Sequence, residues 1–521
     1  MHSVHMTAAK EAPAKISYEE DTLKAAKNAG VAGLGDIIYM VLGYASAIVI
    51  TRNVGLEIFG IYSLAFTVAS LVGIFARLGL ENGVLRYVAL YNGQGDALRI
   101  KGVITFATKM TSLLGLLLGF LLFILADFLS IVIFHNPDLA KALKTFAIAM
   151  PFLAVQPVWL SAIQGLQMIK DRVYVEKIIQ PGLKLILLFV FLLLGWKLLG
   201  ILSAMIIATL VATLMALYYL LKDAARFYGN EGGTKLEVRE WFSFSTPLFL
   251  EAILVFVMMG MDTLMLGYFR SSFEVGVYNA ALKVVPLIIM PLAAFNTIFV
   301  PMISEIYGKG ELDKLEALFK IVTKWIFSLS FPIFLLIIIF SRPILSIFGV
   351  EFAVGSSALM ILALGQLVDA AVGSVGYMLM MTGRPQMNLL NSALMSIMNI
   401  ALNYTLIPHY GIVGAAIATG TSVAVINLLR LGEVYYFLKI HPYRLDLGKP
   451  IASSLAASAA IYLFVKVFDH RLTDSMRFPY LLLIPLFFVV YFALLYLFKL
   501  SDEDRVVISI IRRKLRTALA L

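Results

Sequence analysis

The chain has 521 residues, of which 61% are hydrophobic and 14% charged, with a mean hydropathy of +0.91. A soluble domain carries about 25% charged residues, so a soluble enzyme is all but excluded. The 42 Lys and Arg against 32 Asp and Glu give +10, which on so apolar a chain reports membrane topology, not nucleic-acid binding, and the absence of Cys removes disulfides, thiolate nucleophiles and Cys-ligated metals.

Residues 1–30 read as a polar cytoplasmic tail with a short amphipathic helix; no apolar core precedes a cleavage site. A membrane-crossing helix needs about 20 apolar residues. Six such stretches follow at 31–51, 57–80, 101–127, 142–168, 175–195 and 198–222, a first lobe. A cytoplasmic linker at 223–242 leads to six more at 243–268, 275–303, 317–340, 354–381, 386–407 and 412–437, a second lobe over 243–439. Spans 448–468 and 479–499 occupy 440–499, and a basic cytoplasmic tail over 500–521 holds Arg512, Arg513, Lys514 and Arg516. Counted with their flanking span ends, the tails and loops on the N-terminal side hold 27 Lys and Arg against 8 opposite, which places both termini inside.

The first twelve spans read as two copies of six. Gly60 and Tyr62 recur as Gly276 and Tyr278, Tyr91 as Tyr307, Thr108 and Lys109 as Thr323 and Lys324, and Tyr218, Tyr219 and Lys222 as Tyr435, Tyr436 and Lys439, all at offsets of 215 to 217. Six spans per copy is even, so the copies share orientation and are related by a pseudo-two-fold axis along the membrane normal. Transporters of this kind hold substrate at the repeat interface and alternate access by rocking. The expected fold is therefore an all-α integral membrane protein of about 14 helices: two six-helix lobes plus two C-terminal helices.

Charges at bilayer depth are costly and need partners or a cavity. Arg430 and Glu433, three apart on one helix face, are expected to pair; Arg77 and Glu81 can pair or leave Arg77 to a cavity. Lys109 and Lys324 read as matched snorkelling residues. Lys184 and Lys283 have no acid three or four positions away and are candidates for a cavity used by an anionic substrate. The acids Asp36, Glu251, Asp262 and Asp369 can take up a proton, ligate Na⁺ or neutralise a basic residue. Pro286, Pro291 and Pro301, with Asn296, mark a bending helix. Gly115 and Gly119 form a small-residue pattern that suits packing within the chain. The six His sit in tails or expected loops, so a His metal site is not expected; Asp469, His470, Arg471 and Asp474 read as a solvated turn. The chain has no GxxxxGK[ST] phosphate loop.

The run Thr51, Arg52, Gly55, Glu57, Gly60 and Tyr62, followed by Arg77, Gly79, Leu80, Arg86 and Tyr87, resembles the start of the Wzx-type polysaccharide flippases. Thr382, Gly383, Arg384 and Pro385, with Pro408, Gly411 and Gly414, look like that family's second half. This family belongs to the multidrug/oligosaccharidyl-lipid/polysaccharide exporter superfamily, which also holds the lipid II flippases and the MATE exporters. The resemblance implies a non-enzymatic flippase in the cell membrane with a cationic cavity for a lipid-linked diphosphate sugar. Matching residues are Arg52, Arg77 and Lys283, to which the residue reading adds Lys184. Arg52 is the one arginine of its span, a departure from the lipid II flippases that argues against a peptidoglycan precursor. Expected partners are the lipid-linked sugar, membrane lipid and glycan-assembly enzymes, with no nucleic acid and a monomeric state. No cofactor is expected beyond a coupling Na⁺ or H⁺. The alternatives are an ion-coupled multidrug exporter, kept open by Asp36, Glu251 and Asp369, and a membrane-embedded enzyme.

Overall fold

Apolar runs fold as helices in this chain because a backbone in lipid must satisfy its own hydrogen bonds. The computed structural model describes residues 8–228, 235–468 and 479–497. The basic tail at Arg512, Arg513, Lys514 and Arg516 and the 469–474 turn lie outside the described residues. In chain order the α-helices are α1 (Ala8–Arg77), α2 (Leu80–Gln94), α3 (Ala97–Phe128), α4 (Leu139–Gly165), α5 (Ile169–Val173), α6 (Gln180–Leu193), α7 (Lys197–Tyr228), α8 (Val238–Phe269), α9 (Ser272–Val284), α10 (Pro286–Gly308), α11 (Leu312–Ile339), α12 (Ser341–Ser346), α13 (Ser356–Val372), α14 (Val375–Met381), α15 (Pro385–Leu438), α16 (Gly448–Phe468) and α17 (Pro479–Leu497). They fall into two compact units divided between Ile253 and Leu254, inside α8.

Nine helices among the described residues are long and apolar enough to cross a membrane, fewer than the fourteen apolar runs. Continuity accounts for two of the five; the other three are the runs at 175–195, divided between a π-helical turn and the 14-residue α6, and at 448–468 and 479–499. Two of the nine run 48 and 54 residues. At 1.5 Å per residue these reach roughly 70 and 80 Å, more than twice a hydrocarbon core of about 30 Å. Each is broken once, at Gly55 (φ 76°) and at Gly411 (φ 53°), so each supplies two crossings. A side chain is strained at such positive φ, and at Gly411 an added Cβ would also clash with the Glu274 carboxylate.

The breaks follow the repeat. Left-handed residues pair as Gly95 with Gly310, His135 with Gly349, Gln167 with Gly383 and Gly195 with Gly411, at offsets of 214 to 216. Four turns thus recur in the same order in both units, at the spacing set by the side-chain motifs.

Close packing uses small residues. A Cβ on Gly119 would sit 2.7 Å from the Ala147 carbonyl, and one on Gly115 would sit 3.0 Å from Pro151 Cα, so this pair packs α3 on α4 within the chain. In the second unit Gly365 of α13 meets Gly420 of α15, where a Cβ on Gly365 would lie only 2.6 Å from Gly420 Cα. Ser453, Ser454, Ala457 and Ser458 of α16 are buried. Ala457 and Ile461 join Leu336, Phe340, Phe487 and Tyr491 in one apolar cluster, and the Tyr491 hydroxyl donates to the Ser328 carbonyl at 2.6 Å.

Three expectations need correction. The 81–100 segment, read as a loop, contains α2, whose buried face is Leu80, Val84, Tyr87, Val88 and Tyr91. It lacks a long apolar run because one face alone packs. Lys109 and Lys324, matched in sequence, differ in environment: Lys109 is exposed and Lys324 is buried. His409, expected in a loop, lies inside α15, two residues before the Gly411 break.

Candidate functional site

In the second unit a buried carboxylate gathers four neutral donors. Asp262 of α8 is 2% exposed. It accepts from the Tyr278 hydroxyl at 2.5 Å, the Thr419 hydroxyl at 2.5 Å, Asn403 Nδ2 at 2.6 Å and Asn399 Nδ2 at 3.2 Å. Asn399 and Asn403 are one turn apart on the first half of α15, and Thr419 lies on the second half. The Gly411 break lets both halves serve one carboxylate. The amides are cross-linked as well: Asn403 donates to Asn399 Oδ1 at 3.0 Å, and Asn399 donates to Thr419 at 2.8 Å. Asn403 Oδ1 is buried with no hydrogen-bond partner. A buried carboxylate without a basic partner is expensive unless its lone pairs are satisfied, and four donors do that here.

The first unit holds the repeat counterpart of Tyr278. Tyr62 follows the Gly55 break in α1, is 8% exposed, and stacks on Phe66 with centroids 6.2 Å apart. Its hydroxyl receives Lys184 Nζ at 3.3 Å, and the same ammonium lies 5.7 Å from the ring centroid. Lys184 sits in α6 just past a π-helical turn at Tyr174–Ile179, a distortion frequent at functional sites. Gln156 of α4 donates to Gln180 of α6 at 2.8 Å, and Gln180 donates to Thr209 of α7 at 3.3 Å, which fixes the start of α6. No carboxylate among the described residues comes within ion-pair distance of Lys184. The duplicated tyrosine therefore meets a lysine in one unit and a carboxyl group in the other, so the two copies have diverged in the type of group they hold.

The remaining candidates divide. Arg77 pairs with Glu81 at 3.2 Å, both partly exposed. Asp36 is exposed and pairs with Lys177 at 3.0 Å, a residue that sequence reading passed over. Arg52 is exposed three residues before the α1 break, Lys283 is exposed one residue before the end of α9, and Glu251 is exposed on α8. The expected Arg430–Glu433 pair does not form. Arg430 donates to Asn427 at 3.3 Å and Ser392 at 3.1 Å, while Glu433 accepts from Asn391 at 2.6 Å. Neutral groups on the adjoining half of α15 reach both charges better than they reach each other. Asp369 of α13 is half-buried in the electrostatic field of Arg430.

A further cluster joins α2 to the start of α8 inside the first unit. Glu237 accepts from the Tyr91 hydroxyl at 2.6 Å and pairs with Arg99 at 2.9 Å; Trp241 Nε1 donates to Tyr91 at 3.4 Å. Burial, followed by the Glu237 hydrogen bond, pushes the Tyr91 phenol up to about 12. Gly79 and Gly83 let Ser245 approach, since a Cβ on either would lie within 2.5 Å of it.

An all-helical, multi-pass chain with this twice-repeated order of breaks has the fold of a known class of membrane transporters. Over 89% of its length it superposes on 98% of the lipid II flippase MurJ in an inward closed conformation, with a TM-score of 0.68 at 16% identity. Residues 25–307 match the family described as polysaccharide biosynthesis protein, and residues 247–405 match the MatE family. The chain belongs to the polysaccharide biosynthesis protein family. It is 29% identical over 228 residues to the probable low-salt glycan biosynthesis flippase Agl15 of Haloferax volcanii, which covers 43% of the chain and 48% of that relative. The chain thus spans about half the length of this relative. It is 24% identical over 387 residues to the putative O-antigen transporter of Shigella flexneri, covering 73% of the chain and 90% of that relative.

Proposed function

We propose that the chain is a flippase that carries a lipid-linked diphosphate glycan from the inner to the outer leaflet of the cell membrane by alternating access, with both termini cytoplasmic. The observation that carries this reading is the different group that each copy of the duplicated tyrosine holds. Lys184, held by a phenol and not by a carboxylate, leaves its ammonium to meet an anionic group, as a diphosphate requires. Exposed Arg52 and Lys283, with Arg77 beside Glu81, extend the cationic set.

Asp262 is the coupling residue in this scheme. Its oxygen surroundings are the carboxylate itself and the hydroxyls of Thr419 and Tyr278, while Asn399 and Asn403 turn their Nδ2 groups to it. Such a set suits Na⁺ or a proton, and the unpartnered Asn403 Oδ1 gives a cation one more ligand. A bound cation supplies the link between an ion gradient and the transport cycle. The chain's own part is to hold both halves of α15 on one carboxylate. Glu251 and Asp369 remain secondary candidates, and Asp36 is occupied by Lys177.

Deleting the gene in its source organism tests this reading. Surface glycan should fall while its lipid-linked precursor accumulates on the inner face, and the wild-type chain, unlike Lys184→Ala, should restore export. Intact surface glycan with new sensitivity to cationic drugs would favour the multidrug-exporter reading.

A further inference from the structure

A pocket of about 500 Å³ lies wholly within the second unit, between one face of α10 and Tyr377 of α14. Its walls are aliphatic, chiefly Leu292, Val300 and Pro301, and its polar groups are Asn296, Thr297 and Tyr377. None of its lining residues is charged.

Local structure fixes what these groups present. α13 ends at Gly373, whose positive φ (71°) sets Ser374 at the head of α14. Ser374 is 3% exposed and gives its hydroxyl proton to Asn296 Oδ1. The amide is thereby oriented with its NH₂ left to the pocket, where both protons lack a protein acceptor among the described residues. Pro301 has no N–H to give the carbonyl of Thr297 four residues earlier, so that carbonyl, at a residue lining the pocket, lacks its helical donor. Tyr377 is 39% exposed and adds a ring face and a hydroxyl.

Donors, an acceptor, an aromatic face and aliphatic walls without charge define the occupant by exclusion. A diphosphate finds no cation here. An isoprenoid tail would leave an amide and a phenol unsatisfied in a low-dielectric setting, which is unfavourable. A sugar ring meets both needs: its C–H face lies on apolar and aromatic surface, and its hydroxyls satisfy the amide and the carbonyl. The volume falls within the range of small-ligand pockets, roughly 300–1,000 Å³. We propose that this pocket is the subsite for an uncharged sugar ring of the transported lipid-linked glycan, with Asn296 and Tyr377 reading the sugar. The assignment rests on the flippase reading and adds to it a place where sugar, not diphosphate, is recognised.

Binding to the full chain in lipid nanodiscs tests the assignment with two probes, undecaprenyl diphosphate and undecaprenyl-diphospho-N-acetylglucosamine. The wild type should hold the sugar-bearing probe about ten-fold more tightly. Asn296→Leu should bring the two affinities together by weakening only the sugar-bearing probe. Tyr377→Ala should do the same, and Tyr377→Phe, which keeps the ring and the fold, should retain part of the preference. Unchanged selectivity in Asn296→Leu and Tyr377→Ala overturns the sugar subsite, as does equal weakening of both probes, which would assign the pocket to the tail. A wild type that binds neither probe, with an unchanged melting midpoint, would instead overturn the flippase reading itself.

Discussion

Removing one hydroxyl from the Asp262 cluster should reveal the charge that the cluster holds. Tyr278→Phe keeps a fully buried ring in place and deletes one of four donors to the carboxylate. A hydrogen bond to a charged acceptor is worth about 1.5–3 kcal/mol, against about 0.5–1.5 kcal/mol for a neutral one. Tyr278→Phe should therefore cost about 2 kcal/mol in the wild-type background and about 1 kcal/mol in Asp262→Asn, where the acceptor is a neutral amide oxygen. The coupling energy of the cycle is then about 1 kcal/mol, larger than the roughly 0.3–0.5 kcal/mol scatter expected of independent sites. Reversible unfolding in mixed micelles, with sodium dodecyl sulfate as denaturant and tryptophan fluorescence as readout, measures all four proteins. Equal costs of Tyr278→Phe in the two backgrounds would refute the picture of an ionised carboxylate satisfied by neutral donors.

Lys184→Ala should lower flipping by about ten-fold, since loss of one charge-assisted contact of about 1.5–3 kcal/mol spans a decade or more, and Lys184→Arg should retain much of the rate in the same vesicle assay. Lys283→Ala should act likewise if this exposed α9 residue helps guide the diphosphate; a normal rate in a well-folded variant removes it from the path. Gly365→Ala should cost about 1–3 kcal/mol through overpacking against Gly420, seen as a lower melting midpoint in nanodiscs, whereas Gly93→Ala, which meets nothing within 4 Å, should not. The Tyr91 phenol titrates near 10 when unfolded and at about 12 when folded, so folding favours its neutral form. That contribution is fully present below pH 10 and is lost as pH rises through 12, and Tyr91→Phe should flatten this part of the melting-versus-pH curve.

The spans were legible because a bilayer demands long apolar runs, and the repeat because the Gly60–Tyr62 motif returns at Gly276–Tyr278. The left-handed residues added a second record of the same spacing, visible once backbone angles were known. What the tyrosines touch was not legible: Lys184 and Tyr62 are 122 positions apart, and so is nothing a local pattern can pair. Asp262 was selected as an isolated acid, yet its partners are neutral side chains from three further helical segments. Asn399 and Asn403, one turn apart in an apolar span, were the available signal. The Arg430–Glu433 spacing misled because sharing a helix face makes contact feasible without excluding better partners at Ser392 and Asn391. α2 escaped because a helix with one buried face has no run of 20 apolar residues.

Reconstitution into liposomes gives the most direct test of the central claim. A fluorescent undecaprenyl-diphosphate sugar is placed in both leaflets, and an impermeant reductant bleaches only the outer pool. A flippase empties the inner leaflet as well, so bleaching should run to completion with the wild type, about ten-fold more slowly with Lys184→Ala, and stop at the outer pool in protein-free vesicles. Bleaching that stops at the outer pool with a folded wild-type chain, with and without a Na⁺ or proton gradient, while the same vesicles expel a cationic dye, would contradict it.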